Sequence, residues 1–509
     1  MELDVILLPK VVNDKEYEKF FTHVMKLATS LNVPNEDFPK ILFSKITESS
    51  LDYELKNIIL RHLSECTTTS GVRSPISGGI KRSKAQMALF KVQMNWDKRL
   101  LKSLVNLAKE QGRILIRARS ERNIQEMNLK WNELSSWDTD LSSYKPLYGP
   151  KDLFDLLLSL KDQQQITRLE RKWSVVVSGI DVTDLQKISD LYKNYLEEGL
   201  KTEWDGNSQF SDNGELRNRI ILGNAVARKN HPPLAEEYCK SRCPPELRKV
   251  LWTQILDSSV TNENLELFEH LRDMALRQDL LVDKLILKDI RITSANDEHY
   301  FIFEDLLYPV MLCLTRDSDL NRLVRSDDLR KVVSSPSALM PCYGISMYAA
   351  PLCYVYDVPS EIYFALKNLY IKYWHHLHYL DDNPSGLVHL ATLFERLLQT
   401  HEPDLWTHFL SHEINALQIA LPWIVRAFSG FLSISQLLSL WDIILGHDSL
   451  QILPLLAAAV FSLRRHALFN ISSQHCAEVA LADLSSIRVF PLLYLTLQRE
   501  DNARSFPGE

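Results

Sequence analysis

Glycine is scarce, with 15 in 509 residues, and runs of alternating β-branched residues are few. Hairpins and sheets therefore have little material to form from. The seven cysteines (Cys66, Cys239, Cys243, Cys313, Cys342, Cys353 and Cys476) are odd in number, lie in apolar segments and include no CxxC pair. That excludes a simple disulfide framework and the common zinc and thioredoxin-like motifs, and it points to a reducing compartment. No GxxxxGK[ST], GxGxxG, HExxH or GxSxG motif occurs, so nucleotide hydrolysis, metalloproteolysis and serine hydrolysis lack their usual signatures. Positive charge is not in excess either. A formal net charge of -7 argues against a surface built to neutralise the phosphates of nucleic acid or anionic lipid. A membrane-spanning run is also missing: the longest apolar stretch, Ile452 to Leu463, falls short of the roughly 20 residues a spanning helix needs. It is expected to be a buried helix. The N-terminus is apolar only from Val5 to Leu8, carries Glu2 and Asp4, and lacks a basic leader, so secretion is not expected. A cytoplasmic location is the expectation, with any membrane association either peripheral or through a lipid-anchored partner.

What the sequence does contain is helical spacing. With 45% of residues hydrophobic it can bury a large core, and its length favours two or more domains. Tyr17, Phe20, Phe21, Val24 and Leu27 share one helical face, and Trp96, Leu100, Leu104 and Leu107 share another. Asn13 followed by Glu16 suggests a cap for the first of these. Ile362, Leu366, Leu369, Tyr373 and Leu377 repeat the pattern, as do Leu387, Leu390, Phe394 and Leu397 after the cap-like run Asp381 to Gly386. The fold class is all-α. Three polar stretches, Cys66 to Ser83, Lys201 to Glu215 and Arg316 to Pro341, read as loops or linkers. They suggest an N-terminal helical region over 1–215, with a disordered loop near 66–83, and a second domain over 225–500. No fixed-period repeat is present, which argues against a solenoid.

Two segments invite a chemical reading that a plainer one outweighs. Arg113 to Arg122 (RILIRARSER) holds four arginines but no stacking aromatics, so a solvated helix face is preferred to a phosphate contact. His375 and His378, three apart, could share a metal, but no cysteine accompanies them and Asp381 and Asp382 belong to the next cap; partly exposed helix histidines are preferred.

Four blocks then follow one another. Pro244, Pro245, Leu247, Arg248 and Trp252 form a proline-started helix with Arg248 one turn before Trp252. Ile286, Asp289, Arg291, Ile292 and Thr293 lie in LILKDIRIT. CYGISMYAAPLCYVY contains Tyr343 and Gly344. Trp441-Asp442 closes the series. In order and spacing these blocks resemble the TBC domain, the all-helical module of Rab GTPase-activating proteins, whose pattern runs RxxxW, IxxDxxRT, YxQG and WD. The resemblance extends into the N-terminal half around NWDKRLLKSL.

The resemblance implies a Rab-family small GTPase as partner, with GTP and Mg held by that partner and no cofactor on this chain. It implies two catalytic fingers, an Arg facing the γ-phosphate and a Gln orienting the attacking water. A supplied guanidinium is worth roughly 10³ to 10⁵ in rate. Here Ile286, Asp289 and Thr293 match the family, but the Arg slot holds Ile292 and the arginine comes one place early, at Arg291. A one-residue offset turns a helical side chain by about 100°, so Arg291 is expected to point elsewhere. Two readings stay open for it: a displaced finger, or an arginine that is solvated or paired with Asp289. Tyr343 stands at the Gln slot, Pro341 stands at the motif Tyr, and no glutamine occurs between Gln278 and Gln399. Tyr343 is expected to be a buried aromatic beside Met340 and Met347. Arg248, Trp252, Trp441 and Asp442 match well and are expected to be scaffold. The implied function is a GTPase-activating protein with degraded fingers. The alternative is a TBC scaffold that binds a Rab or another partner without catalysis.

Overall fold

The structure, a computed structural model, describes residues 8–31, 37–65, 84–136, 140–162, 182, 185–201, 214–241, 243–295, 303–320, 339–380 and 383–497. The loops expected at 66–83, most of 201–215 and most of 316–341 lie outside these residues. In chain order the helices begin with α1 (Lys15–Ser30), α2 (Phe38–Glu48), α3 (Ser50–Glu65) and α4 (Lys84–Glu110). Strand β1 (Ile116–Ala118) and α5 (Glu121–Leu129) follow, then α6 (Pro150–Asp162), α7 (Ile188–Lys201), α8 (Gly214–Lys229), α9 (Pro232–Cys239), α10 (Pro245–Leu256) and α11 (Asn262–Arg277). Next come strand β2 (Gln278–Leu280), α12 (Leu281–Ser294), α13 (Glu304–Arg316), α14 (Pro359–Lys372), α15 (Leu387–His401), α16 (Pro403–Ser411) and α17 (Ala416–Val425). The series ends with α18 (Ile434–His447), α19 (Ile452–Leu463), α20 (Arg465–Leu468), α21 (Gln474–Ala482) and α22 (Val489–Leu497). Among the described residues the two three-residue strands are all the sheet there is. The protein is all-helical in class.

The helices fall into two compact units made of interleaved stretches: one from Met1–Gly149, Thr261–Ala295 and Ile302–Ser346, the other from Pro150–Val260, Asn296–Phe301 and Met347–Glu509. The sequence alone suggests a single division, near 215–225.

In the first unit the apolar stripe of α1 packs on α3, with Val11, Phe20, Leu51 and Ile58 at its centre. The helix begins at Lys15, so the N-cap position falls on Asp14, whose carboxylate accepts from the Glu16 amide at 2.8 Å, and not on Asn13. Phe21 departs from its expected face and is 51% exposed, because the contact is only as wide as the Tyr17, Phe20, Val24 and Leu27 stripe. On α4, Trp96, Leu100 and Leu104 are buried as their spacing required. The arginine run is not a helix face. Its centre is β1, paired antiparallel with β2 as Ile116↔Leu280, Arg117↔Asp279 and Ala118↔Gln278. The two strands lie 160 residues apart, so no local signal could show the pairing.

The second unit is built on α15, α17, α18, α19 and α22, whose apolar faces meet. The run Ile452 to Leu463 is the buried helix α19. No helix among the described residues is long and apolar enough to cross a membrane. The 362–377 periodicity spans a helix end: α14 stops at Lys372 and a 3-10 turn covers Trp374–Leu377, although Ile362, Leu366, Leu369, Tyr373 and Leu377 are all buried. The cap of α15 is Gly386, the last residue of the run proposed for it. The histidines diverge. His375 Nδ1 lies 2.9 Å from the Tyr370 carbonyl, whereas buried His378 places Nε2 2.8 Å from the Tyr348 hydroxyl.

Candidate functional site

The first and last sequence blocks meet in the second unit. α10 starts at Pro245, where a missing N–H costs nothing, and its first two turns place Arg248 and Trp252 on one face. Arg248 donates to the Asp442 carboxylate from Nη2 at 2.6 Å and from Nε at 3.0 Å, and Trp252 donates Nε1–H to the same carboxylate at 2.7 Å. All three are buried. Burial disfavours charge on Arg248, and the adjacent Asp442 carboxylate more than offsets it, holding the guanidinium above its ordinary pKa. Trp441, next in sequence to Asp442, continues an aromatic column: Trp252 lies 6.3 Å from Trp441, Trp441 5.0 Å from Trp374, and Trp374 5.6 Å from Tyr348. Trp441 also donates Nε1–H to the Ala427 carbonyl at 3.2 Å. The cluster has no access to solvent, so its chemistry is that of a structural tie.

The two middle blocks meet in the first unit. α12 buries Ile286, Asp289 and Thr293, and its first turn is closed by Asp283, whose carboxylate accepts from the Leu280 amide at 3.2 Å. Asp289 reaches the glycine block: Oδ1 accepts from the Gly344 amide at 2.6 Å and Oδ2 from the Ser346 amide at 2.8 Å. Gly344 turns the chain there with φ +86°, a conformation that side-chain-bearing residues rarely adopt. One carboxylate thus clasps α12, which carries Ile292, to the loop that carries Tyr343. Sequence spacing identified Asp289 and Gly344 but not the bond between them. Ser346 was missed altogether, since its contribution is a backbone N–H.

Ile292 and Tyr343 both stand within three residues of this clasp. Ile292 is half-buried in the last turn of α12, and Arg291 beside it is half-buried too. Lys284, Lys288, Arg291 and Ile292 mark the accessible side of the helix, an arc about 100° wide at 3.6 residues per turn. Arg291 therefore lies on the accessible arc. Burial lowers the pKa of Lys284 on the same arc. Tyr343 is 38% exposed, contrary to the buried position expected beside Met340 and Met347. Its N–H is held by the Tyr148 carbonyl at 2.8 Å, and with Gly344 folding the chain inward behind it the ring is left outside.

Residues 245–469 match the family model described as the Rab-GTPase-TBC domain. Human TBC1 domain family member 19 is 36% identical over 426 residues, which cover 80% of this chain and 81% of that protein. The yeast (Saccharomyces cerevisiae) GTPase-activating protein GYP5 is 24% identical over 230 residues, 44% of this chain and 22% of that one. A Chlamydomonas flagellar RabGAP TBC domain covers 61% of this chain and 95% of its own at 13% identity, with a TM-score of 0.37, too loose a likeness to add anything. By the extent and identity of its sequence matches, the chain belongs to the TBC-domain family.

Proposed function

We propose that this protein is a Rab-directed TBC regulator that grips a GTP-loaded small GTPase on the accessible arc of α12 and the Tyr343–Gly344 loop, with little finger chemistry of its own. GTP and Mg belong to the partner. The observation that carries this reading is the Asp289 clasp, which keeps both finger segments assembled while Ile292 and Tyr343 occupy the slots. Isoleucine offers no positive charge to a transition state whose negative charge spreads over the phosphoryl oxygens, and tyrosine has a single hydroxyl oxygen at the end of a rigid ring where a primary amide presents a separate acceptor and donor to the attacking water. The GTPase's own glutamine then positions the water. Acceleration falls short of the roughly 10³ to 10⁵ that a working arginine finger supplies. The protein would work in the cytoplasm and be brought to an endomembrane by the lipid anchor of its partner.

The test is capture of a panel of Rab GTPases, each loaded with GDP or a non-hydrolysable GTP analogue. One or more should bind in the GTP form, and binding should survive Arg291→Ala. Equal capture of both nucleotide forms, or of none, overturns the reading. A second reading, activation through Arg291, is favoured by the place of that residue on the accessible arc. It requires GTP hydrolysis stimulated by the parent protein and lost in Arg291→Ala.

A further inference from the structure

The two segments of the clasp are held by residues that lie well before the family-matched region, which begins at 245. β1 pairs with β2, and β2 runs directly into α12. The pairing extends past the strands, with the Arg119 amide donating to the Arg277 carbonyl at 2.8 Å and the Leu281 amide to the Leu115 carbonyl at 3.0 Å. The outer edge of β1 is closed by one side chain on α3. Asn57 donates from Nδ2 to the Ile116 carbonyl at 2.7 Å and accepts from the Ile116 amide at 3.1 Å, standing in for a third strand.

The root of α12 is pinned by charge as well. Asp283 accepts both Nη atoms of the buried Arg316, with Arg119 Nη2 at 3.5 Å, and Arg117 Nε lies 2.5 Å from Asp279. The other half of the clasp is held in the same way. Segment 147–148 runs along the loop, where the Leu147 amide donates to the Pro341 carbonyl at 3.4 Å and the Tyr343 amide to the Tyr148 carbonyl at 2.8 Å. Tyr148 is anchored edge-on to Trp96 of α4, with ring centroids 5.4 Å apart. Gly149 sits under the slot residue, where an added Cβ would lie 3.5 Å from Tyr343 Cβ.

We infer that Asn57, strand β1 and segment 147–149 form a built-in positioning arm, in which Asn57 and Ile116 fix the root of α12 and Tyr148 fixes the Tyr343 loop. These are positioning residues and touch no partner. The inference rests on the proposed GTPase-docking role of α12 and the loop for its functional consequence, and on geometry alone for its structural one. Backbone exchange travels with cooperative local units, so loosening β1 should free β2, α12 and the clasp together.

The experiment uses the full chain with Asn57→Ala, with Asn57→Asp as a milder companion that keeps the Ile116 N–H partner, and with Phe20→Ala as a control. Phe20 packs in the α1–α3 cluster, and its truncation weakens that cluster while leaving both Asn57 hydrogen bonds to Ile116 available. Amide hydrogen exchange is followed at Leu280, Gly344 and Ser346, and affinity is measured for GTP-analogue-loaded Rab GTPases. Asn57→Ala should speed exchange at these amides by about tenfold, the equivalent of two ordinary hydrogen bonds, and weaken GTPase binding severalfold. Phe20→Ala should speed exchange chiefly in α1–α3, with a much smaller rise at Leu280, Gly344 and Ser346 than in Asn57→Ala. Unchanged exchange at Gly344 and Ser346 in both Asn57 variants, or an equal rise in the Phe20 control, overturns the inference. If no Rab binds the parent protein, the docking proposal fails, and the exchange data alone decide the positioning arm.

Discussion

Replacing Asp289 tests how the site is held together. Its carboxylate is buried and accepts the Gly344 and Ser346 amides at 2.6 and 2.8 Å. Both donors lie on buried residues. Asp289→Ala leaves each without that acceptor, and an orphaned buried donor costs about 1–3 kcal/mol, so the pair is worth about 2–6 kcal/mol if the loop stays in place. A loop that instead swings out to find water recovers part of that sum and carries Tyr343 away from α12. Asp289→Asn separates shape from chemistry. It keeps the volume but offers one acceptor, and its NH₂ must face the second amide, so it should cost nearly as much as alanine. Urea unfolding with an unchanged m-value gives the free-energy loss, and amide exchange at Gly344 and Ser346 shows which way the loop went. An asparagine variant as stable as the parent, with protected amides at both positions, would refute the clasp.

Other outcomes follow from the second unit. Arg248→Ala and Asp442→Ala should each cost about 3–5 kcal/mol, because each strands a buried charge, whereas the double replacement Arg248→Met with Asp442→Leu should recover most of the loss; thermal or urea unfolding of the three variants decides. Gly446→Ala should cost about 1–3 kcal/mol, since a methyl there would lie 2.5 Å from the Lys240 nitrogen and 2.9 Å from the Glu236 carbonyl oxygen, where α18 meets α9. Stability should also fall in acid through His378. Burial lowers its pKa to about 4, so between its ordinary value near 6.5 and about 4 the unfolded chain binds the proton and the folded one does not. The loss accumulates as pH falls through that window, reaches about 3 kcal/mol, and is flat below it. Because the Tyr348 hydroxyl donates to the Val425 carbonyl, His378 must present Nε2–H to the Tyr348 oxygen, leaving Nδ1 to take up the proton. His378→Gln should flatten the pH dependence of unfolding between 4 and 6.5.

Local periodicity made the helices readable, because a 3.6-residue stripe of Leu, Ile and Trp is a property of neighbours in sequence. The same holds for the faces of Arg248 and Trp252, four apart on α10. What sequence spacing could not convey was which distant group each polar residue answers. Asp442 takes Arg248 and Trp252 across about 190 residues, and Asp289 answers two backbone amides that have no side-chain signature. β1 was hidden for a related reason. Three residues carry no period, and the arginines around Ile116 resemble a solvated helix until Asp279 and Asp283 are seen beside them. Tyr343 was misplaced because its aromatic ring suggests burial, whereas Gly344, Tyr148 and Asp289 set the backbone and leave the ring outside.

The central claim is that the docking frame is intact while its two finger positions lack their chemistry. Single-turnover GTP hydrolysis by the Rab that binds tightest, with the parent and with Ile292→Arg combined with Tyr343→Gln, addresses it directly. Tyr343 is exposed and Ile292 is half-buried on the accessible arc, so neither replacement is made at a fully buried core position. The parent should accelerate hydrolysis by less than about tenfold, and the double variant by about 10² or more, approaching the range of a working finger. Acceleration of about 10³ or more by the parent, unchanged by the two substitutions, would contradict the account.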